Sequence, residues 1–98
     1  MELKSNRDND KLTVCPVGKM DTNSSPEVEK FLDSSLDDVK ELVFDFSDLD
    51  YISSTGLRVL LSAQKKMNQQ GSMKVINVKP EVEEILELTG FTEILTIE

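Results

Sequence analysis

The sequence predicts an α/β protein: one domain over residues 1–98, with a mixed, mostly parallel sheet of four to five strands and helices packed on it. Three observations carry this. Short runs rich in strand-forming residues alternate with longer stretches of helical periodicity, the order that partly parallel sheets require. Each helical stretch opens on a serine pair or a proline, and the last two close on Gly71 and Gly90. The 98 residues contain no internal repeat, low-complexity tract or linker, which fits one modest core.

Glu2 to Asn6 is expected as an edge strand, followed by a polar turn at Arg7-Asp8-Asn9-Asp10. Lys11 to Val17 alternates loosely and predicts a second strand, with Pro16 near its end or at an unpaired edge position. Gly18 marks a bulge or turn. Ser25 is the expected N-cap of the first helix, with Pro26 at its first position and Glu27 favourable to the dipole. Val28, Phe31, Leu32 and Leu36 give it one apolar face, and it should stop near Leu36 or Asp38.

Glu41 to Phe46 holds Leu42-Val43-Phe44, the signature of a central strand covered on both faces. Ser47 to Asp50 is expected as an acidic turn. Residues 54–69 form the next helix, with Leu57, Leu60, Leu61 and Met67 on one side and Gly71 as its stop. A strand over 73–77 follows, then a helix from Pro80 whose Val82, Ile85, Leu86 and Thr89 share a face and whose cap is Gly90. Phe91, Ile94, Leu95 and Ile97 are expected in a closing strand.

Composition narrows the chemistry. The net charge of −8 disfavours nucleic acid and anionic membranes as partners. The absence of histidine removes Ser-His-Asp and Cys-His catalysis and, with a single cysteine, makes a metal site very improbable. Neither a G-x-S-x-G elbow nor a glycine-rich phosphate loop is present, and no cofactor is implied. A serine–lysine pair with Lys65 or Lys66 would span about three helical turns, too far for contact. The lone Cys15, and the lack of a signal-peptide-like start or an apolar run of bilayer length, lead us to expect a cytoplasmic protein without membrane insertion.

What remains is the stretch Asp48 to Leu61, where three hydroxyl residues and a glycine join a strand to a helix. Ser53 or Ser54 would cap that helix. Tyr51 and Ile52 would face either the core or a partner, and Gly56 would let another protein's backbone approach. The carboxyl end of a central strand is also where α/β folds place binding sites. A phosphate on such a turn would leave the fold intact and turn a neutral surface into a bulky dianion.

Three segments resemble the STAS domain family, in particular the small bacterial anti-sigma factor antagonists. They are Val17-Gly18-Lys19-Met20-Asp21; Val43 to Ser47 followed by Tyr51 to Leu57; and Val78-Lys79-Pro80-Glu81-Val82 through Leu88 to Phe91. The resemblance implies phosphorylation of Ser54, the second residue after the apolar position and two before the glycine. Ser53, standing where aspartate is common, is a rival site, and Thr55 a weaker one. It implies a partner-binding surface of Asp21, Ser53, Ser54, Thr55, Gly56 and Arg58. It also implies a cycle: the unphosphorylated domain binds an anti-sigma factor that is also a serine kinase and so frees a sigma factor. The kinase then phosphorylates the domain, which lets go, and a serine phosphatase resets it. In this reading the domain is a switch, not an enzyme. An accessory subunit of a larger complex such as a transporter, working without phosphorylation, is the alternative, and a small-ligand binder at the strand-end turn is a third.

Overall fold

A hairpin begins the chain. The computed structural model describes residues 1–98, and strands β1 (Glu2–Asp8) and β2 (Lys11–Met20) pair antiparallel around Asn9-Asp10. Asn9 takes a left-handed φ of 57°, which asparagine tolerates better than most residues. β2 is longer than the sequence predicts. Pro16 lies within it, buried and opposite Leu3, instead of near its end. The reason is that β2 changes partners: Lys11–Val14 pairs parallel with β3 (Glu41–Asp45), whereas Gly18–Met20 pairs parallel with β4 (Leu49–Ile52). Pro16 falls in the gap between the two ladders. Gly18, at φ 96°, forms the bulge that re-registers the strand.

β3 is central, between β2 and β5 (Ser72–Ile76). Leu42, Val43 and Phe44 are all buried, as expected of a strand covered on both faces. β4 replaces the second half of the expected acidic turn, which shrinks to Ser47-Asp48. Its inward residues, Leu49 and Ile52, are three apart with the exposed Asp50 and Tyr51 between them. It therefore lacks the two-residue alternation that marks a strand.

Three helices close the core: α1 (Ser25–Ser35), α2 (Ser54–Gln70) and α3 (Pro80–Leu88). Val28 and Leu32 of α1 and its C-cap Leu36 share one core cluster with Leu57, Leu60 and Met67 of α2 and Val82 and Leu86 of α3. Each such side chain contributes about 1.5–3 kcal/mol when fully buried. α1 has no basic residue in its last turn; Arg7 of β1 reaches across to donate to the Ser35 and Asp37 carbonyls instead.

Two further expectations change. Gly71 does end α2, but at φ −179° it is extended, not left-handed. Its necessity is steric, because a side chain there would collide with the Lys40 carbonyl, which accepts from Ser72 N–H at 2.9 Å. The closing strand is absent. After α3, Gly90 turns left-handed at φ 78° and Phe91–Glu93 form a 3₁₀ turn, leaving room for one parallel bridge, Ile97 to Val75. Thr96 O and Glu98 N bond the Val75 backbone at 2.8 and 2.9 Å. No helix is long and apolar enough to cross a membrane.

Candidate functional site

The site is built where β2 and β4 end side by side. Met20 pairs with Ile52, and Ser53 N–H donates to the Met20 carbonyl at 2.8 Å. From these two strand ends the chain enters α1 and α2, so the loop Asp21–Ser24 and the turn Ser53–Thr55 lie next to each other. Thr22 Oγ1 and Thr55 Oγ1, 3.4 Å apart, join them.

The three hydroxyls of the turn have different duties. Ser53 is the N-cap of α2, extended at φ −90° and ψ 174°, and its Oγ accepts from Gly56 N–H at 3.3 Å. Thr55 is half-buried and engaged with Thr22. Ser54 is the first helical residue, exposed, and its hydroxyl takes no part in these bonds. Tyr51 and Ile52 split: Ile52 is core, and Tyr51 is 44% exposed.

Gly56 differs from the sequence expectation. It is buried, and the backbone that approaches it belongs to this chain. A methyl group there would sit 2.7 Å from Ile52 Cγ1 and 2.9 Å from Met20 O. Gly56 thus seats α2 against the end of β2. Arg58 is exposed one turn along α2 from Ser54.

Asp21 organises the neighbouring loop. Its Oδ1 accepts from the N–H groups of Asn23 (2.9 Å) and Ser24 (3.0 Å). The Ser24 N–H bond, helped by those from Asn23 and the Ser24 hydroxyl, holds its carboxyl below the usual carboxylate range. Ser24 and not Ser25 is the N-cap of α1, and its side chain bonds the loop instead of the helix: Oγ donates to Lys19 O at 2.7 Å and accepts from Asp21 N–H at 2.9 Å. Ser25 is the first helical residue, fully buried with no partner for its Oγ, and Pro26 is the second. On the other flank, Lys79 Nζ bonds Asp50 Oδ1 at 2.6 Å, which raises the ammonium pKa and ties the start of α3 to β4.

The turn therefore brings Asp21, Ser53, Ser54 and Thr55 together, leaves Arg58 one turn away and puts Gly56 beneath. Sequence reasoning missed Thr22 and Ser24. The Asp21-x-x-Ser24 spacing could have pointed to Ser24; nothing local pointed to Thr22, whose partner lies 33 positions on.

The model of the STAS domain family matches residues 2–98. BtrV of Bordetella bronchiseptica, provisionally named an anti-sigma factor antagonist, is 33% identical over 99 residues, covering 99% of this chain and 85% of that one. The chain belongs to the STAS domain family. Among its STAS relatives is also the anti-sigma-B factor antagonist of Listeria monocytogenes, 30% identical over 99% of this chain and 86% of that one. The fold matches the Bacillus anti-sigma factor antagonist SpoIIAA, solved unphosphorylated (TM-score 0.86, 13% identity, 99% of this chain and 88% of that one) and phosphorylated (TM-score 0.77, 12% identity, 99% and 91%). At such identities the likeness is one of fold: five strands and three helices in this STAS domain, with the hydroxyl turn opening α2.

Proposed function

We propose that this STAS domain is a phosphorylation-controlled binding switch. Its unphosphorylated form binds an anti-sigma factor that is also a serine kinase, which frees a sigma factor, and a phosphate on Ser54 ends the binding until a serine phosphatase removes it. The observation that carries this is the division of labour in the turn: Ser53 is used as a cap, Thr55 is engaged with Thr22, and only Ser54 is both exposed and uncommitted. The names of its relatives as anti-sigma factor antagonists support the partner class. Ser53 and Thr55 are the poorer acceptors because a kinase would have to break a bond to reach either.

The physical basis of release is charge. A phosphoserine adds nearly two negative charges at pH 7. A docked partner then meets a desolvated dianion where it met a hydroxyl. Unfavourable charge at an interface costs several kcal/mol, enough to weaken binding about 100-fold or more. Titration calorimetry with the purified anti-sigma factor tests this. Ser54→Ala should keep wild-type affinity and Ser54→Asp should lose most of it. Equal affinities for the two variants would contradict a charge switch and favour an accessory subunit that works without phosphorylation.

A further inference from the structure

We propose that Arg58 is the counter-ion of the Ser54 phosphate, so that modification closes an ion pair within α2. This rests on the phosphorylation of Ser54 proposed above. Ser54 opens α2 and Arg58 lies four residues on, both exposed. Residues i and i+4 share one helix face with Cβ atoms about 5–6 Å apart. Helical side chains lean toward the N-terminus, so the guanidinium reaches back over the turn that carries Ser54. Anion first and cation second is also the favourable order on a helix.

Arg58 is free for this role. Lys4, Lys66, Lys74 and Lys79 each pair with a carboxylate. The only other arginine, Arg7, is taken up by backbone carbonyls at the end of α1. Arg58 has no ion-pair or hydrogen-bond partner, in a chain carrying 19 acidic residues. No acidic residue occurs anywhere in α2, so no carboxylate on the helix competes for it. The planar fork of a guanidinium matches two phosphate oxygens, which a lysine would meet only as a point charge.

The pairing changes what modification does to the surface. Unphosphorylated, the turn offers a partner a neutral hydroxyl and a free cation. Phosphorylated, it offers neither: the cation is taken by the phosphate, and the remaining charge is negative. Release then has two causes, the new anion and the withdrawn arginine.

The test uses the full chain with phosphoserine installed at position 54 by genetic encoding, independent of any kinase. Melting temperatures are compared for wild type, Arg58→Gln and Arg58→Lys, each with and without the phosphate. Arg58→Gln should lower the melting temperature of the phosphoprotein by about 1–4 °C more than that of the unmodified protein. High salt should shrink the difference, and Arg58→Lys should restore part of it. The Arg58 Nε–Hε NMR signal of wild type should move on phosphorylation. Equal losses in both forms with an unmoved Arg58 signal would overturn the pair. Failure of a kinase to modify Ser54 would instead sink the switch while leaving this measurement intact.

Discussion

Two helix starts in this domain carry the same pair of residues and use it in opposite ways. At α1, Ser24-Ser25 is withdrawn: Ser24 is bonded into the loop and Ser25 is completely buried. At α2, Ser53 caps the helix and Ser54 stands in solvent. What precedes each pair decides the outcome. Before α1, the Asp21 loop folds back on the Lys19 carbonyl and rotates the second serine into the core. Before α2, β4 runs directly into the helix behind the buried Ile52, and the rotation puts the second serine outside. A Ser-Ser helix start is thus no sign of an accessible hydroxyl until the phase of the entering strand is known.

The largest way to break the contrast is to unseat α2. Gly56→Ala places a methyl against Ile52 and the Met20 carbonyl and should cost about 1–3 kcal/mol in urea unfolding, as overpacking does. Next come the two engaged serines. Ser24→Ala, which removes two short bonds from a buried side chain, should cost about 1–2 kcal/mol, and Ser53→Ala, which removes one bond of 3.3 Å, about 0.5–1 kcal/mol.

Acid should weaken the α1 side through Asp21. Its carboxyl is ionised more readily in the folded chain than in the unfolded one, so the unfolded chain binds more protons in the acid range. The stabilisation is present above the ordinary carboxylate pKa and is lost as pH falls through the lower folded value. Asp45 adds to it with the same sign: partial burial pushes its carboxyl up, but bonds from Ser47 N–H and Asn77 outweigh this. Urea midpoints for Asp21→Asn should fall less steeply than for wild type between about pH 5 and pH 2. The second serines differ in the same way. Ser25→Ala should raise stability by about 1 kcal/mol, because it removes a fully buried hydroxyl that has no partner, and Ser54→Ala should have the smallest effect, less than about 0.5 kcal/mol, because it is exposed.

The sequence made some of this visible and hid the rest for definite reasons. The central strand around Val43 and the helices with their apolar faces were legible, because each is written in local periodicity. The hydroxyl turn was expected at the end of a central strand and instead follows β4, which pairs only with β2. β4 was hidden by the three-residue spacing of Leu49 and Ile52. The inward role of Gly56 depends on Met20, and the occupation of Thr55 on Thr22, both more than 30 positions away. Such pairings appear only when β2 and β4 lie side by side. Position along the chain was enough to single out the turn, and the three hydroxyls became distinguishable only through their partners.

The most direct measurement is phosphosite mapping of this protein isolated from its own cells, by intact mass followed by peptide fragmentation, across growth conditions. The account predicts a population carrying one phosphate, located on Ser54 and abolished in Ser54→Ala. A phosphate on Ser53 or Thr55, or none in any condition, would contradict it.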